Sequence, residues 1–229
     1  MPALTDQAPW DDYAARVAEL YPPLAPGDGY DEGEVVAAEA RLGLRLPRVL
    51  REFYLLAGRR DDVTRHLTQP IPPGFLTVAD HALVITDGDV DFPVSGILQG
   101  EFGHDDPSVV RAEGEGLALD WTEDHERFST WLASMLYWVA VRGGLPFRGA
   151  APVDETEIPA VHARWPKVDL LGSLWEHRIV FHRAGQVICI EGRAPDLTLH
   201  AAGRTREDFE EITRVLQLDW TSPADEDAA

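Results

Sequence analysis

Val35, Val36, Ala38 and Leu42 form an apolar stripe at helical spacing that stops at Gly43. A second stripe of Val49, Leu50, Phe53, Tyr54 and Ala57 begins just after the Leu46-Pro47 step and runs to Gly58. The pattern predicts two short helices hinged at that step. Asp31 and Glu34 stand three apart at the start of the first, so one can cap while the other reaches back to the free amides. Pro47 suits the first position of the second, where its missing N–H has no helical partner. Upstream, Trp10, Tyr13, Ala14, Val17 and Leu20 share one face of a predicted helix, and Tyr21 to Gly27 forms a rigid connector that cannot continue it.

After Gly58 the period changes. Residues 59–74, with Pro70, Pro72 and Pro73, read as a long loop. Residues 75–78, 82–86, 94–98 and 117–121 read as strands, the first two separated by Asp80-His81, with a turn at Asp87-Gly88-Asp89. Phe128, Trp131, Leu132, Met135, Leu136 and Val139 then recur at three- and four-residue steps up to Gly143-Gly144. This is the strongest periodic signal in the chain and predicts the helix on which the sheet packs. Residues 145–173 are proline-broken and mixed. Strands follow at 174–182 and 186–191 about an Arg183-Ala184-Gly185 turn, another at 197–201, and a closing helix opens at Thr205. Together these elements predict one α+β domain over residues 1–229, with a mixed or mostly antiparallel sheet and helices packed on one face. Residues 1–30 supply an N-terminal helix and Pro-rich connector, and residues 223–229 a flexible acidic tail.

Glu39, Leu42, Gly43, Leu46 and Pro47 match an E-x-x-Leu-Gly-x-x-Leu-Pro phrase, and Phe53, Tyr54 and Gly58 an F-Y-x-x-x-G phrase after it. Leu83-Val84-Ile85 fits an early strand, Ser95-Gly96-Ile97 a strand phrase that usually opens with tryptophan, and Asp105-Asp106-Pro107 a turn before the long helix of residues 128–144. In this order the phrases resemble the SUKH superfamily, the fold of fungal cell-wall-synthesis regulators and many bacterial toxin-immunity proteins. The resemblance covers roughly residues 31 to 144. It implies a SUKH-like fold and a cytoplasmic protein that blocks a toxin, often a nuclease, by covering its active site or substrate face.

Composition narrows the reading further. A chain of 229 residues, 45% hydrophobic, can bury a substantial core. The apolar run near Trp138 is broken by Arg142 within an amphipathic pattern, so no membrane span is expected, and the N-terminus lacks the basic and apolar regions of a secretory signal. The lone Cys189, between Ile188 and Ile190, excludes an internal disulfide and suits a reducing compartment as a buried strand thiol. Net charge is -20, and residues 61–130 carry fifteen acidic side chains against Arg65, Arg111 and Arg127. Such a field disfavours nucleic acid and anionic lipid and steers a basic protein partner.

No phosphate loop, dinucleotide glycine fingerprint or nucleophile elbow occurs, and no cofactor is expected. His104-Asp105-Asp106 and Asp124-His125-Glu126 lack the helical spacing that sets two imidazoles on one face. Asp87, Asp89 and Asp91 alternate as at the start of a calcium loop, but Phe92 holds the glycine position and no glutamate closes the ring. As a recognition surface these three aspartates would join Glu101, His104, Asp105 and Asp106 of the next loop in one acidic patch. Trp121 is a candidate aromatic at its rim; its other reading is the core-facing end of a strand. Asp106, before a proline, has a turn-opening role as its alternative. The expected function is non-catalytic: an immunity-type protein that holds a basic toxin domain. A regulatory or scaffold protein for another cellular partner is the alternative, and a hydrolase using His104, Asp105 or His125 comes third.

Overall fold

The computed structural model describes residues 8–64, 69–87, 94–113, 119–169 and 177–221. Its first half carries helices α1 (Ala8–Leu20), α2 (Glu32–Leu42), α3 (Arg48–Ala57) and the single turn α4 (Asp61–Thr64). The short strands β1 (Gln69–Pro70), β2 (Thr77–Ala79), β3 (Ala82–Val84) and β4 (Thr86–Asp87) follow, then β5 (Val94–Leu98), β6 (Ser108–Glu113) and β7 (Asp120–Arg127). The long helix α5 (Phe128–Val139) runs into a π turn at Ala140–Gly144. The second half contains β8 (Phe147–Val153), α6 (Ile158–His162), β9 (Lys167–Val168), β10 (Arg178–Arg183), β11 (Gln186–Arg193), β12 (Asp196–Gly203) and α7 (Arg206–Leu216).

The α+β class agrees with the sequence pattern, but the single sheet becomes three. One five-stranded antiparallel sheet runs β2-β3-β5-β6-β7, a second runs β8-β12-β11-β10-β9, and β1 pairs with β4 alone. Helix α5 lies in the core that joins the two large sheets. Phe128, Leu136 and Val139 share that core with Leu83, Ile97 and Val109 from the first and with Val180, Val187 and Cys189 from the second. Strand β11 shows why the second sheet is covered on both faces rather than one. Val187 and Cys189 face α5, while Ile188 and Ile190 alternate outward onto α6 and α7 with Trp165 and Ile212.

The motif around residues 39–58 has a physical basis. Gly43 takes φ 68°, a left-handed conformation that glycine adopts without steric cost, and so ends α2. The chain then turns under the Glu39 carboxylate, which accepts the Leu46 N–H at 3.0 Å. Pro47 is the residue before the helix, φ -48° and ψ 141°, so α3 starts one residue later than the sequence indicates. Glu34 reaches back to the Asp31 N–H at 3.0 Å, as the spacing predicts. Gly58 is right-handed, φ -62°, so it does not end α3 by a left-handed turn. A Cβ there would lie 2.9 Å from the Tyr30 ring, so close packing is what requires a glycine. Gly29 is tighter still: a Cβ would come within 1.9 Å of the Leu55 carbonyl oxygen, where the connector crosses the end of α3. That crossing satisfies helix-end groups, with Tyr30 N–H on the Tyr54 carbonyl and Arg59 N–H on the Asp28 carbonyl.

Several elements depart from the sequence pattern. Helix α4 and strand β1 fall in the segment 59–74 read as loop, and β6 lies in a stretch with no clean alternation. The predicted 117–121 strand overlaps β7 only at Asp120 and Trp121, with residues 117–118 outside the described ones. Elements β8, α6 and β9 form inside the segment read as mixed, β8 crossing Pro152. Pro152 is tolerated because β8 is an edge strand. The predicted acidic tail at 223–229 lies outside the described residues.

Candidate functional site

The structure separates the carboxylates that the sequence would gather. Asp87 sits at the Val94 end of β5, where Ser95 N–H bonds Thr86 Oγ1, whereas Glu101 follows Leu98 at the other end. Successive loops of an antiparallel meander fall at opposite ends of the sheet, so five residues of strand, roughly 17 Å, stand between them. Asp89 and Asp91 lie outside the described residues.

Glu101, His104, Asp105 and Asp106 lie in one loop that is tied into a knot, and of these Asp105 and Asp106 reach helix N-termini. Glu101 receives His104 Nδ1 at 2.9 Å and the Ser108 N–H at 3.2 Å, and these two contacts hold its carboxyl below the ordinary range. The Asp105 carbonyl accepts the Val49 N–H at 3.0 Å, at the start of α3, and its carboxylate pairs with Arg48 at 3.2 Å. Asp106 accepts both the N–H (3.0 Å) and the hydroxyl (2.6 Å) of Ser129, in the first turn of α5. The Asp-Asp-Pro turn therefore serves two helix N-termini at once. Behind it Arg48 also meets Glu52 at 3.0 Å, and buried Glu52 receives the Trp10 indole N–H at 2.6 Å.

Trp121 is not at the rim of that knot, and it does not face the α5 core. It pairs with Ala112 across β6–β7 and lies over Gly96, where a Cβ would approach its ring within 2.6 Å. Gly96 shares its sheet face with Val84 and Val110, opposite to the core-facing Leu83, Ile97 and Val109.

Asp87 belongs to a different place. It lines a groove of about 470 Å³ together with Tyr30, Asp61, Gln69, Ile71 and Phe75. The floor is fixed from α3: the Tyr54 hydroxyl donates to the Ile71 carbonyl at 2.7 Å, and Tyr30 packs edge-on against Tyr54 with centroids 6.0 Å apart. The Asp87 carboxylate accepts the Gln69 N–H at 2.9 Å and is otherwise exposed. Phe75 is 76% exposed, unusual for a phenylalanine. The cation nearest the Tyr30 ring, Arg59 at 4.8 Å, is paired with Glu34 at 2.6 Å. Sequence reasoning misses this groove because its lining comes from five separate segments; the proline cluster at 70–73 beside Phe75 is its only local signal.

A second polar cluster lies between the π turn and the second sheet. Glu191 meets His200 Nε2 at 2.8 Å, Arg178 Nε at 3.2 Å and an Arg142 guanidinium nitrogen at 3.6 Å. Arg178 and Arg142 both stack on Trp138, at 4.3 and 5.3 Å. Burial raises the Glu191 pKa, but His200 and Arg178 outweigh it and bring the carboxyl to about 2. Burial pushes the Cys189 thiol the other way, up to about 12, which leaves it an inert core residue.

Among the described residues no group of three or more His, Cys, Asp or Glu side chains converges as a metal site, and no helix is long and apolar enough to cross a membrane. Asp124-His125-Glu126 fall within strand β7. No protein-family model, curated protein or solved structure matches the chain.

Proposed function

We propose that this chain is a non-catalytic binding protein of the immunity type, which holds a basic toxin domain through its acidic surface. The reading draws its class from the SUKH resemblance of residues 31–144. The observation that carries it is how the cations are used. The net charge is -20, and many of the arginines among the described residues already hold carboxylate or backbone partners of this chain. Arg16 pairs with Asp12, Arg51 with Glu32, Arg59 with Glu34, Arg60 with Asp28 and Asp62, and Arg183 with Glu211. Arg41 and Arg204 donate to backbone carbonyls. Cations neutralised at close range contribute little to the outer field, so the excess carboxylates set its sign. A nuclease must attract phosphate and is cationic where it works, so such a field draws it in and competes with its substrate.

Affinity capture from the native cell tests this. One basic effector should co-purify, and its activity should fall to background on addition of stoichiometric chain. Recovery of only neutral or acidic proteins would overturn the proposal. So would a basic partner whose activity is untouched, which is the outcome a scaffold role predicts.

A further inference from the structure

We draw no further inference here: the strongest candidate, the exposed apolar patch of Phe75 and Val78 along edge strand β2, carries nothing because nothing in the structure shows what covers it.

Discussion

Asp105 and Asp106 are adjacent in sequence and differ in what they hold. The Asp105 carboxylate meets Arg48 in a pair whose acid is 73% exposed, while its contribution to α3 comes through the backbone carbonyl. The Asp106 carboxylate is itself the cap of α5. Replacing Asp106 by alanine should therefore cost about 1–2 kcal/mol, and replacing Asp105 about 0.5 kcal/mol, as read from urea denaturation midpoints; equal losses would contradict the assignment. Gly29→Ala should be worse than either, about 3 kcal/mol, because the added carbon meets the fixed Leu55 carbonyl. A thermal transition unchanged by that substitution would show that the connector does not cross α3 so closely.

At the scale of elements, Glu191 ties β11 to β10, β12 and the π turn, and this makes the joint between α5 and the second sheet acid-sensitive. Its folded pKa of about 2 lies below the ordinary 4.5. The stabilisation is thus fully present above about pH 4.5 and is lost as pH falls toward 2. Glu191→Gln should lower the urea midpoint at pH 7, with the gap to the parent chain closing across that window; parallel pH curves would refute the role. Element types were legible wherever periodicity was strong, as in α5 and in the paired strands β10–β12. The sheet division was not, because pattern fixes which residues face inward and not which strands pair. The recognition patch failed for a related reason. Asp87 and Glu101 share the right residue type and the right class of loop, but the alternation of a meander puts them at opposite ends of β5. A local structural role was legible at Asp106 from its place before Pro107, but as the opener of a turn and not as the cap of α5. The groove was not, since Tyr30, Asp61, Phe75 and Asp87 meet only after three helices and two strand pairs are in place.

For the whole molecule, the decisive property is a charge of -20, with many of the described arginines paired to carboxylates of the chain itself. That arrangement predicts recruitment of a basic partner at a distance. If the proposed function holds, ionic strength should act mainly on the rate at which the complex forms. The exposed pair Glu207 and Glu210 would affect that rate only in proportion to its share of the total charge. The most direct measurement is the association rate of the chain with its co-purifying effector as a function of ionic strength, by stopped flow. Steering by the acidic surface predicts a fall of at least about tenfold between low salt and several times physiological salt. A rate that does not respond to salt would mean that the excess carboxylates have no part in finding the partner.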